Sequence, residues 1–239
     1  MNASDYAALD FPVRGALRGR HAHLARTVGS ASGFAPGVCS FVAVDPSDPR
    51  RWGDLATLLG PGGFADMFSA PDRPPDGWEQ VFGLEGRQMV HDGSPPPRGP
   101  SPDAILTLGP DDLPDILDLV ERTRPGPFGP RTPELGVYLG IRDQGRLVAM
   151  VGQRLRPPGW TEISAVCTAP EARGRGLAAR LLAAQVRLVA ATGDRPFLHV
   201  AETNSGAISV YERLGFRTRS SVVFRGYRVP DDRSGPRQT

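Results

Sequence analysis

Residues 160–180 read Trp-Thr-Glu-Ile-Ser-Ala-Val-Cys-Thr-Ala-Pro-Glu-Ala-Arg-Gly-Arg-Gly-Leu-Ala-Ala-Arg, and they leave the chain few ways to fold. The β-branched and aromatic residues from Trp160 to Thr168 predict a strand that stops before Pro170. Beyond the glycines, Leu177, Leu181, Ala184 and Leu188 recur at helical spacing. Arg173-Gly174-Arg175-Gly176 joins the two elements, which gives a strand, a tight glycine turn and a helix. Such a junction presents the unpaired N–H groups of a helix's first turn, where the peptide dipoles sum to partial positive charge. Gly174 and Gly176 carry no Cβ to hold a ligand away, and Arg173 and Arg175 add cationic donors. The stretch therefore suits a diphosphate, although the same residues also suit a turn with only a structural purpose. A dinucleotide fingerprint fails because its third glycine would fall at Ala179, and a Walker loop fails because the chain contains no lysine.

The missing lysine also removes one candidate base, nucleophile and Schiff-base former. Formal charge is only +2, so bulk electrostatics favours neither a nucleic-acid nor an anionic-membrane partner. Cys39 and Cys167 lie far apart and outside any C-x-x-C, so neither a zinc site nor a disulfide framework is predicted. His21-Ala22-His23 lacks a third nearby ligand, and no metal is expected. The first residues, Met1 to Asp5, show no basic and apolar leader, and no apolar run reaches a membrane span. A cytoplasmic protein is the expectation.

Along the chain, Leu17, His21, Leu24 and Val28 fit one helix face, and Phe41 to Val44 fit a strand. A helix starting at Asp48 or Pro49 carries Trp52, Leu55, Leu58 and Leu59 to the glycine turn at 60–63, with Gly62-Gly63-Phe64 read as structural. Residues 81–84 and 88–90 resemble the arms of a hairpin about Glu85-Gly86-Arg87. The proline-rich stretch 93–102 reads as a linker between an N-terminal region, 1–92, and a domain over 103–230, with a polar tail from 231.

That second region predicts a strand at 104–108, a helix from Asp111 to Val120, and a proline-rich loop at 125–133. A hairpin about Asp143-Gln144-Gly145, the strand–turn–helix, a strand at 197–200 and a helix from Asn204 to Gly215 follow. Phe216 and Val222 to Tyr227 fit closing strands.

The order of these elements, with two motifs, resembles the GNAT superfamily of acyl-CoA-dependent N-acyltransferases. The family's Q/R-x-x-G-x-G/A loop corresponds to Arg173-Gly174-Arg175-Gly176-Leu177-Ala178, preceded by Pro170-Glu171. Its Asn…Ala…Tyr…Gly-Phe motif corresponds to Asn204, Ala207, Tyr211, Gly215 and Phe216. The resemblance implies a mixed, mostly antiparallel sheet flanked by helices. The N-terminal α/β region, matched by no motif, is left as an accessory domain or a degenerate half-copy of the same fold.

The resemblance also implies roles. The backbone of Val166, Cys167 and Thr168 lines the pantetheine arm of acetyl-CoA, residues Arg173 to Ala178 hold its pyrophosphate, and Asn204 assists. Tyr211 is the expected acid that protonates the departing thiolate. Glu162, on the strand into the loop, is the expected base, with His199 and Glu202 in reserve. Cys167 as a covalent nucleophile has no visible His–Asp support. The expected reaction moves an acetyl group to a small-molecule amine or a protein N-terminus. A non-catalytic acyl-CoA-binding or regulatory module is the alternative.

Overall fold

The computed structural model describes residues 3–68, 73–96 and 105–231. Residues 97–102 of the expected linker, and nearly all of the expected tail, lie outside them. The helices are α1 (Pro12–Arg18), α2 (Arg51–Leu59), α3 (Leu113–Thr123), α4 (Leu177–Ala191) and α5 (Ser205–Arg213). Strands β1 (Ala25–Val28), β2 (Ala31–Phe34) and β3 (Val42–Ala43) form a small separate sheet. The main sheet holds β4 (Phe64–Phe68), β5 (Glu79–His91), β6 (Leu106–Leu108), β7 (Tyr138–Asp143), β8 (Arg146–Gln153), β9 (Trp160–Thr168), β10 (Arg195–Ala201) and β11 (Phe216–Arg228).

Its spatial order is β4-β11-β5-β10-β9-β8-β7-β6, and every pair is antiparallel except β9 with β10. That exception is forced by the chain: β9 runs through the glycine turn into α4, and the helix returns the chain to β10 in the same direction. The fold is thus the mixed, mostly antiparallel α/β architecture expected. Strands from before residue 93 are integral to it, since β5 lies between β11 and β10. The proline-rich stretch therefore does not divide two separate sheets.

The apolar stripe of α4 (Leu177, Leu181, Leu182, Val186 and Val189) is buried with α3 against one sheet face. Leu9, Val13, Leu17 and Phe34 from the N-terminal region pack with Trp160 and Phe197 on the other. Neighbours Phe197 and Leu198 enter opposite cores, the two-residue alternation of a strand buried on both faces. Each fully buried aliphatic or aromatic side chain contributes about 1.5–3 kcal/mol, which offsets the cost of ordering the chain. Among the described residues, no helix is long and apolar enough to cross a membrane.

Three local expectations are corrected. The helix face from Leu17 to Val28 is broken after Arg18, so that His21 is a buried residue bonded to the carbonyl of Leu135 and Val28 ends a strand. Phe64, expected to finish a structural turn, instead opens β4. The hairpin about Glu85-Gly86-Arg87 is one continuous strand, because both of its halves pair with the single long strand β11. Gly86 serves close approach: a Cβ there would lie 2.4 Å from the Phe224 ring and 2.6 Å from the Val200 carbonyl oxygen. Gly86→Ala is expected to cost about 1–3 kcal/mol through overpacking, read as a lowered urea midpoint. An unchanged midpoint would show that the ring moves aside freely.

Candidate active site

Strands β9 and β10 are hydrogen-bonded neighbours only at Trp160–Arg195, Thr161–Pro196 and Glu162–Phe197. Beyond Glu162 they separate. The cause lies on the other side of β9, where its register against β8 slips between Met150–Cys167 and Gly152–Ser164. The extra residue is accommodated with Ala165 at φ +52°, a left-handed conformation that costs a non-glycine residue about 1–2 kcal/mol. The bulge turns the end of β9 away from β10 and leaves both facing edges without ladder partners among the described residues. Between them opens a cavity of about 840 Å³.

At one end of the cavity stand Val166, Cys167, Thr168, Arg173, Asn204 and Tyr211. Residues expected from two separate motifs thus share one wall. The hydroxyl of Thr168 is buried without a hydrogen-bond partner behind this wall. Asn204 also caps α5, its side-chain oxygen accepting from the Ala207 N–H at 3.2 Å. Gly174 and Gly176, at φ +75° and +72°, lead into α4, and Gly176 is the N-cap. A Cβ added at either would meet nothing within 4 Å, so the approach to the first-turn N–H groups is open. Gly174 to Ala178 continue past the cavity and are not part of its wall. Arg175 is held outside by an ion pair with Asp143 at 2.6 Å.

Tyr211 is buried, and this burial pushes its phenol up to about 12. It therefore carries its proton across the neutral range. Burial likewise raises the Cys167 thiol, which keeps it in the weakly nucleophilic protonated form. Glu202 lies outside the cavity wall and is paired with Arg87, whose Nε donates to it at 2.7 Å.

Glu162 sits where the two strands part. Its carboxylate is fully buried and accepts from Arg154 Nε at 2.9 Å and Nη2 at 2.7 Å, and from the Leu155 N–H at 3.3 Å. Burial by itself would push this carboxyl up, but the Arg154 guanidinium, aided by His199, holds it down at about 2. The expected base therefore has no free lone pair of useful basicity, and it does not reach the cavity wall. Its partner does. His199 Nδ1 lies 2.7 Å from Glu162 Oε1, and the ring lines the cavity, stacked at 4.4 Å on Phe68.

The network fixes the tautomer. Gln88 Oε1 accepts from Arg219, so its amide nitrogen donates both to the Leu9 carbonyl and to His199 Nε2 at 3.1 Å. Nδ1 then bears the proton given to Glu162, and Nε2 carries the lone pair. Sequence alone separated Glu162 from His199 by a helix and two strand segments, and only the parallel pairing of β9 with β10 joins them.

The far end of the cavity is built from the N-terminal region. Phe64, Asp66 and Phe68 alternate along β4 into the cavity, while Ala65 and Met67 enter the core behind it. Ser40 and Phe41 lie alongside, with Phe41 bridged to Asp66. Sequence reading missed these residues. The two-residue alternation across 64–68 was the available signal, and the glycines before it obscured the strand.

A family model described as FR47-like protein matches residues 138–225, the segment from β7 into β11. No curated protein matches the chain. Among solved structures, a protein from Novosphingobium aromaticivorans assigned to the GNAT family of acetyltransferases is 37% identical. It covers 92% of this chain and 97% of its own length at a TM-score of 0.85. A GCN5-related N-acetyltransferase from Kribbella flavida, 19% identical, covers 92% of both chains at a TM-score of 0.56. A Drosophila protein, 16% identical, covers 83% of this chain and 73% of its own at 0.62. These last two show the fold alone. Coverage of 92% carries the likeness into the N-terminal region, where the sequence offered no motif. Parted strands over a glycine-capped helix, a tyrosine in the wall and similarity along nearly the whole length converge: the chain belongs to the GNAT family of acetyltransferases.

Proposed function

We propose that the protein transfers an acetyl group from acetyl-CoA to a primary amine by direct attack within a ternary complex. The observation that carries this reading is the placing of Tyr211 on the cavity between the parted strands, with the glycine-capped start of α4 beside it. Arg173 and the N–H groups from Gly174 to Ala178 would hold the pyrophosphate, and the free edge of β9 from Val166 to Thr168 would take the pantetheine amides. Acetyl-CoA supplies the thioester carbonyl that the amine attacks.

The chain's own part lies at the leaving group. The attacking nitrogen loses its proton to water in the cavity, because both His199 ring nitrogens are engaged, Nδ1 with Glu162 and Nε2 with Gln88. As the carbon–sulfur bond breaks, the Tyr211 hydroxyl donates its hydrogen bond to the leaving sulfur. Glu162 and His199 thus act as a buried structural pair where β9 and β10 part. The acceptor, a small-molecule amine or a protein N-terminus, enters from the end lined by β4.

Calorimetric titration with acetyl-CoA, with ATP and NAD as controls, tests the cofactor end. Micromolar binding of acetyl-CoA alone is the expected result, followed by release of free thiol with amines. Absence of binding would overturn the reading. Binding with no thiol release across an amine panel would favour a non-catalytic acyl-CoA sensor.

A further inference from the structure

The mechanism leaves unused one buried carboxylate in the cavity. Asp66 is 4% exposed, and its Oδ2 accepts from the Ser40 hydroxyl at 2.7 Å. Its Oδ1 has no hydrogen bond among the described residues, yet it is not sealed in, since it is not among the buried atoms lacking a partner. Directly across on β11 stands Gly226, so the residue paired with Asp66 offers no side chain to the carboxylate. The nearest cation, Arg154, is committed to Glu162. A carboxylate in such a place has lost water without gaining a counter-ion, and the burial raises its pKa. A ligand cation would satisfy it.

Aromatic rings surround this group. Phe64 and Phe82 lie 6.2 Å apart, Phe68 and Phe224 5.3 Å, and Phe41 and Phe68 4.5 Å. Glycines allow the rings to lie down on the sheet: a Cβ at Gly226 would come within 2.4 Å of the Phe82 ring. Toward solvent the lining stays apolar, with Phe64, Phe82 and Leu84 each more than a third exposed. Large apolar side chains left open at a cavity mouth mark where an apolar ligand body rests, and ring faces also favour a cation.

We propose that the acceptor is a cationic amine with a flat apolar body, its ammonium held by the Asp66 carboxylate and its body between the Phe64, Phe82, Phe224 and Phe68 rings. This inference rests on the acetyl-transfer reading and names the substrate class for it. The site selects by sign and by shape. An ammonium alone lacks the ring contacts, and an apolar acid meets an uncompensated carboxylate.

The test titrates the full chain, without acetyl-CoA, with 2-phenylethylamine, ethylamine, L-glutamate and 3-phenylpropionate. 2-Phenylethylamine is expected to bind about tenfold or more tighter than ethylamine or L-glutamate, and 3-phenylpropionate not to bind. Asp66→Asn, which keeps the shape and the Ser40 contact, is expected to weaken 2-phenylethylamine about tenfold or more, as loss of a charge-assisted bond does. Phe82→Ala, at the exposed rim, is expected to weaken it several-fold. Both variants should leave the acetyl-CoA affinity unchanged, and Asp66→Asn should raise the thermal midpoint if anything, since it removes a buried charge. Equal binding of 2-phenylethylamine and ethylamine, or an Asp66→Asn variant that binds 2-phenylethylamine normally, would overturn the inference. Acetyl-CoA binding, measured separately, would then show that the acetyl-transfer reading survives.

Discussion

Tyr211→Phe is expected to lower turnover by about 10²–10⁴-fold while leaving acetyl-CoA affinity and stability nearly unchanged. The hydroxyl is the only part removed. The ring keeps its edge-on contact with Phe216 at 6.1 Å and its burial beneath α5. Burial holds the phenol at about 12, so the proton is present throughout the working range and is released only to a strong base. A departing thiolate, with a thiol pKa of about 8.5, is the weaker base, so the hydroxyl helps by donating its hydrogen bond to the charge that builds on sulfur as the bond breaks. Steady-state thiol release, set beside acetyl-CoA calorimetry on the same preparation, separates chemistry from binding. Turnover equal to that of the unaltered protein would remove Tyr211 from the mechanism and leave it a packing residue.

Glu162→Ala is expected to be among the most damaging single substitutions for stability, at about 3–5 kcal/mol. It strips the buried Arg154 guanidinium of its two short bonds and leaves the charge facing the Phe41 ring at 4.7 Å. It also frees the His199 ring from its orienting partner. Combining it with Arg154→Met removes the stranded charge, so the double variant should recover much of the loss, since paired burial itself carries a desolvation cost. Urea unfolding of the four proteins in this cycle measures the coupling. Additive losses would show that the ion pair is not the source.

The pH dependence has a definite sign. The Glu162 carboxyl is held at about 2 against an ordinary 4.5, so the unfolded chain binds the extra proton as acid is added. The pair's contribution is full above pH 4.5 and is lost as pH falls from there toward 2. The Glu162→Ala variant should lose less stability than the parent over that window.

The strand, glycine turn and helix from 160 to 191 were legible because each is a local matter. β-branched residues favour extended backbone, glycines accept positive φ, and apolar residues at helical spacing cover one helix face. The same holds for the Asn204 cap and the Gly215 stop of α5. Val166, Thr168, Arg173, Asn204 and Tyr211, singled out through the resemblance and not by local pattern, line one cavity.

Three features were set by pairing across long separations. Gly86 resembled a turn because its neighbourhood contains nothing to forbid one, and only the unbroken length of β11 beside it makes it a strand. Glu162 and His199 were each visible as titratable residues, yet their contact depends on two strands that meet over three residue pairs and then part. That contact, with the Arg154 pair, is what removes the carboxylate as a proton acceptor. Asp66 gave no sign at all, because a carboxylate becomes unusual only when water is removed, and its burial comes from β11 and the Ser40–Phe41 segment. The sequence by itself determined the glycine turn and the start of α4, since a helix N-terminus is made by neighbours in the chain. The cavity and its buried charges were decided by tertiary structure alone, because burial and charge compensation belong to residues that only the folded sheet brings together.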